Sequence, residues 1–219
     1  MHTEPELVMA LLADARLPTG GHAHSAGLEP AIAAGLTTAG VPGFIRTRLR
    51  TVGATEAATA VVARRVWLDA GDLAPVEAAW AARTPSAAMR ATARRLGRGY
   101  LRLAARLWPD VAKAFDRADP PRAVVIGVIG AVTGLSARQI ALLVGHDEAQ
   151  TIASAALKLL PMDPVDAARW VLDAQGDVTE LAERIETCAD PGDIPALNAP
   201  MLDVHAETHA RTTRRLFHA

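Results

Sequence analysis

The sequence predicts an all-α protein, a single-domain bundle of roughly ten helices, on three observations. Half of the 219 residues are hydrophobic but only 4% are aromatic, so the core has to be built from Ala, Leu, Val and Ile. Alanine, the best intrinsic helix former, dominates the long middle stretches, as in Ala78 to Ala82. Apolar residues recur at helical spacing, and no fixed-period repeat is visible.

The elements follow from their caps and breaks. Leu7 to Leu12 opens as a short helix and stops before the turn Pro18-Thr19-Gly20-Gly21. Ser25 is the expected N-cap of a second helix through Ala34, with Gly35 as its C-cap. Pro42 marks the first turn of a long helix to about Ala70, supported by Phe44, Ile45, Leu49, Val52, Val61, Val62 and Val66. Leu73 to Ala82 follows, then a helix capped by Ser86 that runs to about Leu107. Its Arg90, Arg94, Arg95, Arg98, Arg102 and Arg106 draw a basic stripe. After the break Asp119-Pro120-Pro121 come helices at about Arg122 to Thr133, Ala137 to Val144, Glu148 to Leu160, Pro164 to Ala174 and Val178 to Cys188. The last thirty residues, 190–219, form a Pro-rich, extended segment, a short helix near Asp203 to His209 and a basic tail.

Charge and composition narrow the function. Lys and Arg (23) nearly cancel Asp and Glu (24), so no global charge attracts nucleic acid or an anionic membrane. The longest apolar run, Ala123 to Leu135, is too short to span a bilayer and is broken by glycines. With one cysteine, Cys188, and no secretory signal at the start, a reducing, cytoplasmic setting is expected.

Candidate chemistry is thin. His22-Ala23-His24 places two imidazoles in a Gly-rich loop, a pairing that suits nickel or zinc. Without a third ligand nearby, His22 and His24 are candidates for weak, transient metal contacts only. His205-Ala206-Glu207-Thr208-His209 lacks the geometry of a zinc protease, because Glu207 is one position too far from His205. It reads as a solvated helix face. Leu135 to Ala149 has the look of a helix-turn-helix with a turn at Gly145, but its second helix would open on Asp147-Glu148, which phosphates repel. A DNA-binding regulator is therefore the second reading, and a metal-dependent hydrolase built on the histidines a third. Gly127, Gly130 and Gly134 fit no nucleotide-binding spacing; on one helix face they admit a close neighbour. No catalytic set stands out.

Four segments carry a resemblance. Pro18-Thr19-Gly20-Gly21-His22-Ala23-His24-Ser25-Ala26-Gly27-Leu28-Glu29 is similar to the signature of the UreF family of urease accessory proteins, with His22 where an aromatic residue is usual. Pro18, Gly20, Ser25, Gly27, Leu28 and Glu29 are its matching positions. Leu157 to Met162 resembles the family's basic-apolar-Pro segment, with Asp163-Pro164 in place of the usual Gly-Gln, and Pro200-Met201-Leu202-Asp203 resembles its lead into the last helix. Arg215-Leu216-Phe217 resembles its ending.

This resemblance implies an all-α homodimer that is not an enzyme and has no resident cofactor, nickel being cargo in transit. It implies binding of the accessory protein UreD (also called UreH), recruitment and modulation of the GTPase UreG, and docking on apo-urease. Lys158 is then expected to face UreG, and Arg214, Arg215, Leu216 and Phe217 to form a docking tail.

Overall fold

The computed structural model describes residues 4–116, 119–197, 199–213 and 215–217. It is all-α, and no strand occurs among the described residues. The helices are α1 (Pro5–Leu12), α2 (Leu28–Ala33), α3 (Val41–Arg50), α4 (Val52–Leu68), α5 (Ala74–Arg83), α6 (Ala87–Leu107), α7 (Pro109–Ala112), α8 (Arg122–Thr133), α9 (Ala137–Leu159), α10 (Pro164–Asp173), α11 (Gln175–Ile185) and α12 (Pro200–Ala210). Short 3-10 turns lie at Gly21–Ala23, Thr38–Gly40 and Pro191–Asp193.

Local chemistry sets many of these boundaries. Ser86 accepts the Met89 N–H at 3.2 Å, and Asp163 accepts that of Val165 at 2.8 Å. Ser136 and Gln139 form a reciprocal capping box that starts α9. Gly134, at φ +82°, ends α8 in the left-handed region. Proline occupies the first turn of α1, α3, α5, α7, α10 and α12, where its missing N–H costs nothing.

α4 and α8 form the centre, packed along each other, with α9 crossing α4 and α11 closing the far side. Both central helices are buried almost all round: Gly53 to Ala63 of α4 and Arg122 to Gly130 of α8 have no exposed residue. Small side chains let them come close. A Cβ on Gly127 would collide with the Ala60 carbonyl and meet the Arg64 nitrogen at 2.9 Å, so the expectation of a close neighbour at this glycine holds. Gly97 and Gly99 of α6 do the same for two loops, the first seating Pro120 and the second Thr19.

Four elements differ from the sequence reading. The expected helix from Pro42 to Ala70 is broken at Thr51 (φ −120°, ψ −94°), where the Thr51 hydroxyl donates back to the Thr47 carbonyl at 2.7 Å. The second helix begins at Leu28, not beside Ser25, because Ala26 (φ 50°) and Gly27 (φ 80°) are both left-handed and no helix passes through them. The turn expected at Gly145 does not exist: α9 is continuous, and Gly145 instead lets α11 approach, a Cβ there meeting Val178 at 3.0 Å and Leu181 at 3.2 Å. The helix-turn-helix reading fails with it. Finally, the segment after Asp190 is not simply extended. It buries Ile194 at 1% exposure and gives its Pro195 carbonyl to the Thr55 hydroxyl at 3.1 Å.

Candidate partner-docking site

The N-terminal loop, the C-terminal end of α9 and the tail meet at one corner. The loop is held from below. Thr19 is buried and its backbone rests on Gly99, while Tyr100 hydrogen-bonds to Thr19. Burial pushes the Tyr100 phenol up, and Asp147 adds to the effect, so it stays a neutral partner. Ser25 and Leu28 are fully buried, and the Ser25 hydroxyl accepts the Glu29 N–H at 3.4 Å.

Glu29 is the pivot. One carboxylate oxygen accepts the Leu216 N–H at 2.7 Å and the other accepts that of Phe217 at 2.8 Å. The second oxygen also lies 3.0 Å from Nε2 of His209, which must carry the hydrogen because an ionised carboxylate only accepts. His209 is 5% exposed, so the solvated helix face expected for His205 and His209 is corrected: the imidazole is turned inward to Glu29. Phe217 is 3% exposed and joins the core, with the Lys158 ammonium 5.1 Å from its ring centroid. Lys158 also donates to the His22 carbonyl at 3.3 Å.

Thus Gly20, His22, Glu29, Lys158, Leu216 and Phe217, spread over nearly the whole chain, share one corner. Phe217 faces its own chain rather than outward, whereas Leu216 is 60% exposed. Arg215 donates weakly to the carbonyls of His209 and Ala210 at 3.4 and 3.5 Å. Arg214 lies outside the described residues. The remaining motif positions, Pro18 and Gly27, shape the loop.

Behind the corner lies a cavity lined by His22, His24, Tyr100, Asp147, Lys158 and Phe217. A second cavity shares His24 and Arg122 with it and reaches Arg48, Glu56 and Glu148. The wall between them is a buried charge cluster. Arg48 grips Glu148 at 2.7 and 3.0 Å, Arg122 bonds Asp147 and reaches Glu148 at 3.2 Å, and the Trp80 indole donates to Glu56 at 2.7 Å. Burial opposes ionisation of Glu148, but Arg48 and Arg122 override it and hold its carboxyl at about 2. For Glu56 and Asp147 burial wins, and both are pushed up. Among the described residues no group of three or more His, Cys, Asp and Glu side chains is placed to hold a metal ion, so His22 and His24 share a cavity but make no preformed site. No helix among the described residues is long and apolar enough to cross a membrane.

The sequence profile of the UreF family matches residues 36–175. Proteins named urease accessory protein UreF are similar along almost the full length: that of Mycobacterium marinum (strain ATCC BAA-535 / M) is 39% identical over 214 residues, covering 96% of this chain and 97% of the relative. The chain belongs to the UreF family. The UreF protein of Mycobacterium tuberculosis (strain ATCC 25618 / H37Rv) is 40% identical over the same shares, and that of Mycolicibacterium vanbaalenii is 39% identical over 213 residues. The profile stops short of both the N-terminal loop and the tail, whereas the similarity to the relatives covers 96% of the chain.

The sequence marks the loop of Glu29 and the tail as separate motifs and does not show that they pair. Nothing in their spacing links positions 188 residues apart. The only signal was indirect: a leucine and a phenylalanine in a basic tail.

Proposed function

We propose that this UreF-family chain is a non-catalytic scaffold in urease maturation, working in the cytoplasm as a homodimer. In this reading it binds UreD (UreH), recruits UreG and modulates its GTPase activity, and presents both to apo-urease, with nickel as cargo. The observation that carries it is the corner itself. Membership of the family is joined there to an exposed edge of Lys158, Arg215 and Leu216 beside the buried Phe217. An ammonium and a guanidinium fork beside one exposed apolar residue suit a protein surface that offers carboxylates around a small apolar contact.

The reading is tested in the cell and in solution. Deleting the gene should leave urease present but low in nickel and activity; fully loaded, active urease in that strain ends the proposal. In solution Arg215→Ala should weaken recruitment of UreG by the UreD-bound protein about tenfold, since a methyl group replaces a charged fork. Unchanged recruitment removes Arg215 from the docking surface. The corner makes this substitution preferable to truncation, because deleting the tail would also strip Phe217 from the core.

A further inference from the structure

α6 turns one face inward and leaves the other bare. Thr92, Leu96, Gly97, Gly99, Tyr100 and Ala104 are buried, and Gly97 and Gly99 seat Pro120 and Thr19 on that side. Arg95, Arg98, Arg102 and Arg106 are all exposed on the other. At ~3.6 residues per turn, Arg95, Arg102 and Arg106 lie within an arc of about 40°, with Arg98 about 40° beyond Arg102. At ~1.5 Å per residue the row runs along roughly 16 Å of helix. The chain as a whole carries a net charge of -1, so this row is a local concentration of positive charge.

Little in the fold neutralises the row. Arg98 pairs with the Asp119 carboxylate. Arg95 donates to the Thr92 hydroxyl at 2.9 Å, and burial first, then the charges of Arg215 and Arg98, depress its pKa. Arg102 and Arg106 make no hydrogen bond or ion pair among the described residues. Like charges on successive turns of a helix repel one another, and carboxylates brought between them relieve that repulsion.

The surroundings select the anion. At the N-terminal end of α6 the Glu207 carboxylate already accepts from the Ser86 hydroxyl at 2.7 Å and the Ala88 N–H at 2.9 Å, so a phosphate approaching that end meets a negative charge. Leu107, 40% exposed, directly follows Arg106, and a phosphodiester backbone gives it nothing to pack on. Guanidinium forks pair with carboxylates through two parallel hydrogen bonds, and carboxylates at steps of three and four on a helix present a matching row. We propose that the outer face of α6 is a docking strip for an acidic helix of a partner protein, laid alongside so that its carboxylates meet Arg95, Arg98, Arg102 and Arg106 turn by turn. The strip uses neither the C-terminal tail nor the corner it closes, and it does not rest on the docking reading above.

The test uses the full chain and a fluorescently labelled, alanine-rich helical peptide with glutamates at i, i+3, i+7 and i+11, with binding read by anisotropy. The wild-type chain should bind this peptide at low salt and release it as salt is raised. Arg102→Glu together with Arg106→Glu should weaken binding about tenfold or more. Arg102→Lys with Arg106→Lys keeps the charge but loses the forks, and should fall between. Both side chains are exposed and unpaired among the described residues, so urea midpoints should match wild type. Arg102→Ala with Arg106→Ala guards against a folding defect from charge reversal and should weaken binding in the same direction. A wild-type chain that ignores the peptide at low salt overturns the proposal, as does wild-type affinity in either the glutamate or the alanine pair. Equal affinity for a peptide with the same glutamates spread around the helix overturns the turn-by-turn match. Tighter binding to a DNA duplex, or to vesicles containing anionic lipid, than to the peptide overturns the assignment of a protein partner.

Discussion

Arg48 and Glu148 stand a hundred positions apart in the chain and 2.7 Å apart in the fold, with side chains 6% and 5% exposed. A pair this deep gives little net stability over an apolar pair of the same shape, but breaking it strands a charge. Arg48→Met is therefore expected to cost about 3 kcal/mol, read as a lower urea midpoint with an unchanged slope. A midpoint within error of wild type would show that Arg122 alone satisfies Glu148. The sequence held a clue to this pair. Ala141, Val144, Glu148 and Ile152 recur at steps of three and four, which puts Glu148 on the apolar face of α9. Its partner Arg48 carries a similar signal, since Val41, Ile45 and Arg48 recur at steps of four and three on the buried face of α3.

Helices are legible where a cap or a proline announces them at Ser86 and Pro164, but not at Ser25, where two left-handed residues intervene. Where the cause is a neighbour, they are not. Glycine is a poor helix former, so Gly145 reads as a turn in the sequence, whereas the approach of α11 explains it. The reverse contrast is testable at two other glycines. Gly127→Ala should destabilise by about 3 kcal/mol, since the added carbon meets α4 backbone that cannot step aside. Gly176→Ala, in the first turn of α11 with nothing within 4 Å, should stabilise by about 0.5–1 kcal/mol through helix propensity. Thermal melts of the two variants should move in opposite directions; a common direction would mean that the α4–α8 contact is more yielding than its backbone suggests.

Across the molecule, the buried cluster sets two arginines (Arg48, Arg122) against three acids (Glu56, Asp147, Glu148), and this imbalance shapes the pH response. Glu148 is held low, so the stability it contributes is present above its ordinary value of 4.5 and drains away as pH falls toward about 2. Glu56, pushed up by burial, has the opposite sign: its contribution is complete below 4.5 and is lost as pH rises through its folded value. Glu56→Gln keeps an acceptor for the Trp80 indole and removes the titration. The stability difference between wild type and this variant should shift in favour of wild type as pH falls from 7 toward 4.5, measured by urea midpoints at each pH. A difference constant with pH would mean that Glu56 does not titrate in that range. No sequence pattern exposes this balance, because it is a property of groups gathered from α3, α4, α8 and α9. The family resemblance marked the loop, the α9 end and the tail as separate signatures; only the folded chain shows that they touch.

Glu29 waits for its ligands. During synthesis the carboxylate emerges long before Phe217, which is polymerised 188 residues later. Through that interval the loop lacks the two amides that neutralise it, and the cavity behind it lacks the ring that lines its mouth. Nascent chains therefore display an unfinished corner, and the ribosome's direction of travel makes its closure one of the last events of folding.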